Sequence, residues 1–480
     1  MTNRSVIKKK IEYGDFQTPY DLAIQVCNVL KSWGIKPNSI LEPTCGTGNF
    51  LTASINVFDE CSNFRGFDIN EDYIKSTKKA VEIYKNNKNI YLDTGNFFEI
   101  NWDTQFADLQ EPILILGNPP WVTNSQLGTL ESKNIPTKNN FQNMKGFDAL
   151  TGKSNFDISE WMIIKMIEWI EKRNATIAML CKTSVARKLL EYAWKNNRKI
   201  GNEKIYNIDS KRHFDISAAA CLLIMQSTGE SDKTCDIYPD LSSDIKAQTI
   251  GYRDNLLLSS ISDYEKTKYL IGKKASRKWR TGIKHDLSHV MEIIKIDKNK
   301  YKNGFGEVFY LEDDYLYPLI KGSDLSNGKM PRKWLIVPQK SITDNVEKIK
   351  ITAPKTWEYL IRHKKSFDNR ASSIYKKRAS FSIFGIGDYT FSEWKIAIPA
   401  LYKKCEFSLI GKFENKPIVF DDTVNFLSVE NKEEAENLLG KLNSKLANDF
   451  YKAFIFFDNK RPITVQILNH LDINKLAMSI

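Results

Sequence analysis

The first half of the chain alternates short apolar runs with segments whose apolar residues recur at helical spacing. Short runs rich in β-branched residues and bounded by Gly, Pro or Asp predict buried strands, and a 3.6-residue repeat predicts amphipathic helices. The predicted strands are 39–41, 63–67, 113–116, 175–181 and 218–225, and the predicted helices are 21–32, 70 to about 86, and 158–171. This alternation is typical of an α/β fold with a doubly wound, mainly parallel sheet.

The second half of the chain has a different character. Between residues 227 and 244 the apolar periodicity gives way to Ser, Asp, Thr and Pro. We place a domain boundary there, between a first domain of residues 1–235 and a second domain of residues 236–480. Short β-prone runs at 335–337 and 394–398, with a helical stretch near 432–454, predict a mixed α+β second domain.

The charge of the chain is unevenly distributed. The 480 residues carry a net charge of +12, yet residues 265–380 alone contain 27 Lys and Arg against 13 Asp and Glu. A concentrated positive region suits a polyphosphate partner, because binding phosphates releases counterions. A lysine-rich solubilising surface is the alternative explanation of the same composition.

The cysteines and the hydropathy limit the cellular setting. The seven cysteines are scattered and never form a C-x-x-C pair, which favours a reducing compartment and no structural zinc. The chain begins with polar and basic residues, and no apolar segment approaches the length of a membrane span. We therefore expect a cytoplasmic protein with no metal and no membrane association.

The apolar run at 113–116 leads into Gly117 and then Asn118-Pro119-Pro120-Trp121. Two consecutive prolines lack N–H groups, so the carbonyls of Asn118 and Pro119 are free to accept hydrogen bonds. A matching ligand donates two N–H bonds and offers a flat face to Trp121, as an exocyclic amine on an aromatic base does. A tight loop with a packed core aromatic explains the same residues, and the motif alone does not choose between the two.

A second candidate site follows the first predicted strand, in the sequence from Leu41 to Phe50. Gly46 and Gly48 form a Gly-x-Gly turn that allows close approach of a ligand, and Glu42 can bind a cationic amine. The third glycine of a pyrophosphate-binding loop is missing, so a ligand bearing an amino acid fits better. Asp68 ends the next strand, where a carboxylate can accept from ribose hydroxyls or stabilise the start of the following helix.

The order of these motifs resembles the S-adenosylmethionine-dependent amino-methyltransferases. In particular, it is similar to the adenine-N6 DNA methyltransferases of the gamma arrangement, the Taq type, in which a target-recognition domain follows the catalytic domain. The matching motifs are Phe16–Pro19, Glu42–Phe50, Gly66–Asp68, Asn96-Phe97 and Asn118–Trp121. The resemblance covers about the first 226 residues and continues more loosely at 317–323, 384–389 and 419–423. It implies a Rossmann-like methyltransferase fold followed by a DNA-recognition domain.

The resemblance also implies roles for individual residues. The expected S-adenosylmethionine site comprises Thr18, Pro19, Glu42, Thr44, Gly46, Gly48, Asp68, Asn96 and Phe97. Within it, Glu42 lies near the cofactor amino group, Asp68 holds the ribose, and the two glycines leave room for the cofactor. Asn96 stands where the family usually has Asp, and its amide oxygen can still accept from the cofactor adenine.

The expected catalytic residues are Asn118, Pro119, Pro120, Trp121 and Phe214. Asn118 and Pro119 accept the two hydrogens of the target amine, while Trp121 and Phe214 contact the flipped base. A core phenylalanine leading into a strand explains Phe214 nearly as well. Residues 124–156 lack periodicity and predict a lid or ligand-contacting loop. Candidate DNA-binding residues are Arg277, Lys278, Arg280, Lys321, Lys376, Lys377 and Arg378.

We therefore expect a monomeric enzyme that methylates adenine N6 in double-stranded DNA, with any cognate restriction endonuclease encoded separately. An RNA or protein-glutamine amino-methyltransferase is the nearest alternative, because the same Asn-Pro-Pro-aromatic motif serves those amines. A nucleic-acid-binding module with an inactive cofactor site is a third hypothesis. The intact Gly46, Gly48, Asn118 and Pro119 argue against it.

Overall fold

The computed structural model describes residues 16–122, 157–272, 277–376 and 378–479. The chain divides into two compact units, Met1–Leu258 and Ser259–Ile480. The boundary predicted at 235/236 is wrong, because the strand Thr234–Tyr238 crosses it and pairs in parallel with Ile200–Ile208 of the first unit. The predicted loop at 124–156 lies outside the described residues.

The first unit contains a ten-stranded sheet. Its strands are β1 Ser39–Glu42, β2 Asn63–Asp68, β3 Asn89–Thr94, β4 Ile113–Gly117, β5 Ala175–Lys182, β6 Ile200–Ile208, β7 Ala220–Ser227, β8 Thr234–Tyr238, β9 Gln248–Arg253 and β10 Leu256–Leu258. Its described helices are α1 Tyr20–Ser32, α2 Asn49–Val57, α3 Glu71–Ala80, α4 Trp102–Ala107, α5 Ile158–Ile170, α6 Thr183–Lys195 and α7 Ser210–Phe214. The strand order is β10-β9-β8-β6-β7-β5-β4-β1-β2-β3.

The predicted doubly wound sheet is confirmed. Strands β1 to β5 pair in parallel, and β7 runs antiparallel between β5 and β6. The chain order reverses at β1, which has β2 on one side and β4 on the other. A cleft at the carboxyl ends of the strands is expected at such a switch point. All five residues of β4 are buried, as its continuous apolar sequence predicts.

Three local predictions differ from the structure. The predicted strands of the first unit do not include β3, β6, β8, β9 or β10. Of these, β3 is an edge strand, and most of its residues are exposed and polar. The helix predicted to reach residue 86 ends at Ala80 and is followed by a 3₁₀ turn, Glu82–Tyr84. The stretch 432–454 forms two helices, because the Asn443 side chain hydrogen-bonds the Phe407 backbone and Ser444 caps a new helix.

The second unit is mixed α+β, as predicted. Its strands are β11 Arg280–Thr281, β12 Glu292–Asp297, β13 Lys300–Lys302, β14 Val308–Tyr310, β15 Leu316–Ile320, β16 Lys333–Ile336, β17 Trp394–Pro399, β18 Ser408–Ile410, β19 Lys412–Phe413, β20 Lys416–Pro417, β21 Val419–Phe420 and β22 Val424–Val429. They form sheets ordered β11-β22-β17-β18, β14-β13-β12-β16-β15-β21 and β19-β20.

The helices of the second unit are mostly short. In the described ranges they are α8 Ile261–Thr267, α9 Ser288–Met291, α10 Gly322–Ser326, α11 Ile349–Thr352, α12 Pro354–Arg362, α13 Lys364–Asp368, α14 Lys432–Leu442, α15 Lys445–Lys452, α16 Val465–Leu468 and α17 Ile473–Ser479. Across both units, no described helix has the length and apolar character needed to cross a membrane.

Candidate functional site

A cleft enclosing about 930 Å³, open solvent included, lies where the Gly-rich turn, the end of β2 and the loop after β4 meet. Most of the predicted cofactor and catalytic residues line it: Thr18, Glu42, Thr44, Gly46, Asp68, Asn96, Phe97, Asn118 and Pro120. Its described lining does not include Pro19, Gly48, Pro119, Trp121 or Phe214. The structure thus brings motifs from residues 18 to 120 of the sequence into one cavity.

Asp68 fixes the Gly-rich turn to the end of β2. Its Oδ2 accepts from the Gly46 N–H at 2.8 Å, and its Oδ1 accepts from the Asn70 N–H at 2.8 Å. The carboxylate therefore contacts both the turn and the residue that caps α3. The side chain of Asp68 therefore lies in the cleft and also accepts a hydrogen bond at the start of α3, so the two roles considered for it are compatible.

Gly48 makes a close approach within the fold. Its φ of +81° is left-handed, and a Cβ atom there would lie 2.4 Å from Cγ2 of Thr77. The missing side chain therefore makes room for Thr77, whose hydroxyl donates to the Gly46 carbonyl at 3.0 Å. The expected role of Gly48 in leaving space for the cofactor stays a prediction, and the close approach that the structure shows at this glycine is to Thr77.

Glu42 is a buried carboxyl group of the cleft whose pKa is strongly raised. Its side chain is 2% exposed, and Oε2 is buried without a hydrogen-bond partner among the described residues. Burial raises the pKa of Glu42 well above its ordinary value, and the nearby Asp68 charge raises it further. A buried carboxylate with a free oxygen is a strong acceptor for a cationic amine, because such a ligand removes the cost of the unpaired charge.

Asn96 is partly engaged by its own loop. Its Oδ1 accepts from the Phe98 N–H at 3.1 Å, and its Nδ2 donates to Glu99 at 3.2 Å. A carbonyl oxygen has two lone pairs, so Oδ1 retains capacity for one further donor. Its predicted contact with the cofactor adenine stays a prediction.

The side-chain amide of Asn118 is oriented by a backbone group. Its Nδ2 donates to the Phe16 carbonyl at 2.8 Å, while its Oδ1 is buried and accepts no hydrogen bond within the described residues. A buried acceptor without a partner is costly, and such groups concentrate at binding sites. With the amide nitrogen engaged, Asn118 presents an acceptor rather than a donor to the cleft.

Trp121 packs beside the cleft in an aromatic cluster with Phe16 and Phe214. Its ring centroid lies 5.2 Å from that of Phe214 and 6.1 Å from that of Phe16. Trp121 is 5% exposed, and its indole N–H donates to the Leu180 carbonyl at 3.3 Å. The structure therefore brings the two predicted base-contacting aromatics together, and it also gives Trp121 a packing role.

Two residues of this site received no role from the sequence. Gln17 accepts from the Thr47 N–H at 3.0 Å, and Asn49 donates to the Thr18 carbonyl at 2.8 Å. These bonds join the segment at 16–19 to the Gly-rich turn and to the start of α2. The Phe-Gln-Thr-Pro motif was a sequence signal that could have identified Gln17. The contact of Asn49 with a backbone carbonyl has no corresponding signal in the sequence.

The predicted DNA-binding cations of the second unit fall into two groups. Arg277 pairs with Glu434, and Lys321 donates to buried Glu292 at 2.6 Å and lies 3.5 Å from Asp421, which gives both cations structural partners. The exposed cations are Lys278, Arg280, Lys376 and Arg378, with the Arg280 guanidinium 4.7 Å from the centre of the Tyr389 ring. Lys377 lies outside the described residues.

The chain is similar to known proteins over nearly its whole length. No protein-family model matches it. The chain is 45% identical over 476 residues to the Type II methyltransferase M.NspV of Nostoc sp., a match that covers 98% of each chain. It is 30% identical over 116 residues to the Type II methyltransferase M.CvrRI of Paramecium bursaria Chlorella virus XZ-6E, covering 24% of this chain and 26% of that protein.

A solved structure also matches over nearly the whole chain. The Type IIL restriction-modification enzyme MmeI, determined in complex with DNA, superposes with a TM-score of 0.61 at 13% identity. The match covers 97% of this chain and 66% of MmeI. At that identity the similarity shows the fold.

Proposed function

Because the chain belongs to the Type II DNA methyltransferases of restriction-modification systems, we propose that its target is the N6 amine of adenine in duplex DNA, flipped out of the helix for reaction. The observation that carries this proposal is the orientation of Asn118. Its amide nitrogen is held by the Phe16 carbonyl, and its buried Oδ1 faces no partner among the described residues. A free acceptor at this position suits an amine that donates both of its hydrogens.

The cleft residues fit S-adenosylmethionine, the methyl donor of this family. Glu42 presents a buried, unpartnered carboxylate oxygen that would bind the amino group of the donor. The other predicted residues of the cleft would bind the ribose and the adenine, with Asp68 and Asn96 as the acceptors. When bound, the sulfonium centre supplies a methyl group that is already activated for transfer.

The acceptors of the loop after β4 would activate the amine. The lone pair of an adenine amine is delocalised into the ring, which makes the nitrogen a poor nucleophile. Accepting its hydrogens at Asn118 Oδ1 and the Pro119 carbonyl favours a pyramidal nitrogen with an available lone pair. Alignment of this nitrogen with the methyl group would supply much of the rate acceleration. The methylated nitrogen is positively charged and strongly acidic, so it releases one of its hydrogens to solvent as a proton and requires no strong general base.

We assign methyl transfer to the first unit and target recognition to the second, the gamma arrangement. The concentration of positive charge in residues 265–380 supports this assignment. Lys278, Arg280, Lys376 and Arg378 are the proposed phosphate contacts, because their side chains are exposed. Trp121 and Phe214 are the proposed aromatic contacts of the flipped base, since stacking offsets part of the cost of unstacking.

The test is to incubate the protein with labelled S-adenosylmethionine and mixed-sequence duplex DNA, and then to analyse the nucleosides by mass spectrometry. N6-methyladenine is the expected product, and ribosomal RNA should not compete. Methyl transfer to cytosine N4 alone, or to RNA alone, would overturn the proposal. Methylation-sensitive long-read sequencing of DNA from an expressing host would then locate the modified sequence.

A further inference from the structure

The loop that follows β4 has few backbone groups with which to hold its position. Pro119 and Pro120 have no N–H, so the loop depends on its carbonyls and side chains for anchoring. The Ile158 N–H donates to the Val122 carbonyl at 3.0 Å. The described hydrogen bonds of Trp121 come from the neighbouring strand β5.

Two residues of β5 contact Trp121 at different atoms. The Leu180 carbonyl accepts from the indole N–H at 3.3 Å, and Lys182 Nζ donates to the Trp121 backbone carbonyl at 3.2 Å. Since β5 pairs in parallel with β4, these contacts hold the loop in a fixed position relative to the sheet. The lysine contact is the one that acts directly on the backbone next to Pro119 and Pro120.

The same ammonium group also binds a buried carboxylate. Lys182 Nζ lies 2.7 Å from Asp157 Oδ2, and the Asp157 side chain is almost fully buried. Asp157 is the N-cap of α5, and its other oxygen, Oδ1, accepts from the N–H and the hydroxyl of Ser159. Lys182 thus connects three elements: β5, the loop after β4 and the start of α5.

We infer that Lys182 is a positioning residue for methyl transfer, with Asp157 orienting its ammonium group. Through the Trp121 carbonyl it fixes the backbone that carries the proposed acceptors, Asn118 Oδ1 and the Pro119 carbonyl. The inference rests on the proposed function, because it takes those two atoms as the acceptors of the target amine. A displacement of about 1 Å at a reacting centre can reduce a rate roughly 100-fold.

The decisive variant is Lys182→Met, which keeps the length of the side chain and removes both bonds. We expect kcat for methyl transfer to fall by roughly 10- to 100-fold. The KM for S-adenosylmethionine and the thermal stabilisation that this donor produces should stay unchanged, because Lys182 does not line the cleft. Lys182→Arg should recover part of kcat, since a guanidinium can still donate to both acceptors.

Lys188→Met is the matched control. Lys188 Nζ lies 3.2 Å from Oε2 of Glu160, a buried carboxylate on α5, and among the described residues no hydrogen bond or ion pair links Lys188 to the loop. This variant also leaves a buried carboxylate without its lysine, so it should lose comparable stability while keeping kcat. Equal loss of kcat in both lysine variants, or full kcat in Lys182→Met, would overturn the inference.

A third variant separates the cap of α5 from the lysine contact. Asp157→Asn keeps an Oδ1 acceptor for Ser159 and replaces the charged partner of Lys182 by an amide. Its effect on kcat should be smaller than that of Lys182→Met and not additive with it, because the two residues form one unit. Additive effects would overturn the coupling. The assay counts labelled methyl groups on any base, so methylation of cytosine would contradict the proposed function and leave this test intact.

Discussion

Replacing Glu42 by glutamine tests the donor end of the cleft, because it keeps the shape of the side chain and removes its charge. Burial raises the pKa of Glu42, so near and above pH 4.5 the folded protein holds a proton that the unfolded chain has released. Stability must therefore fall as the pH rises through this range. An unsatisfied buried group costs about 1–3 kcal/mol, which corresponds to roughly 2–10 °C in melting temperature for a unit of this size.

Thermal unfolding between pH 5 and pH 9, with and without S-adenosylmethionine, measures both the pH dependence of stability and the stabilisation by the methyl donor. Without the donor, ionisation of Glu42 should destabilise the first unit of the wild type toward pH 9. Glu42→Gln should show a flatter profile for this unit, because glutamine does not ionise, and the Leu51 N–H can bond to its amide oxygen as it does to the carboxyl. The variant should bind the donor about 10- to 100-fold more weakly, because a charge-assisted hydrogen bond contributes about 1.5–3 kcal/mol. A variant with the pH profile of wild type and undiminished stabilisation by the donor would refute the reasoning.

Three further predictions concern other parts of the chain. Asn118→Ala should reduce kcat by at least about 100-fold, while isothermal titration should still detect binding of the methyl donor. Asp68→Ala should weaken binding of the methyl donor, because it also removes the hydrogen bond to the Gly46 N–H. Equal loss of donor binding in both variants would contradict these roles. Burial lowers the pKa of Lys395 to about 7, so the contribution of Lys395 to the stability of the second unit should rise between about pH 7 and pH 10.5, and Lys395→Met should remove that contribution from the thermal unfolding of this unit. Lys278→Gln and Lys376→Gln should each reduce the salt dependence of DNA binding, measured by fluorescence anisotropy, by about one unit of log–log slope.

The alternation of strands and helices and the location of the cleft were predictable from the sequence, because both depend on local patterns. The buried run of β4 and the Gly-rich turn after β1 each follow from residues that are adjacent in the chain. The domain boundary was not predictable in the same way. Strand β8 has a polar, Asp- and Thr-containing sequence, and only its pairing with β6 shows that it belongs to the first unit.

Contacts between distant residues account for the rest of what the sequence missed. Lys321 looked like a candidate phosphate contact, yet its ammonium group binds Glu292, which lies 29 residues away in the chain. Likewise, Gly48 was assigned to the cofactor because a Gly-x-Gly turn commonly approaches a ligand, and the structure places Thr77 against it. Sequence spacing indicates which residues could bind a ligand. Contacts between residues that are distant in the chain decide which of these residues already have a partner within the fold.

The segment that contains Phe16 and Thr18 links the two halves of the proposed reaction. The Phe16 carbonyl orients Asn118, and the Thr18 carbonyl accepts from Asn49 at the start of α2. Gln17, between them, accepts from the Thr47 backbone in the Gly-rich turn. A shift of this segment on donor binding would therefore change the orientation of the Asn118 amide. The proposed amine acceptor and the proposed donor site thus share one short stretch of backbone.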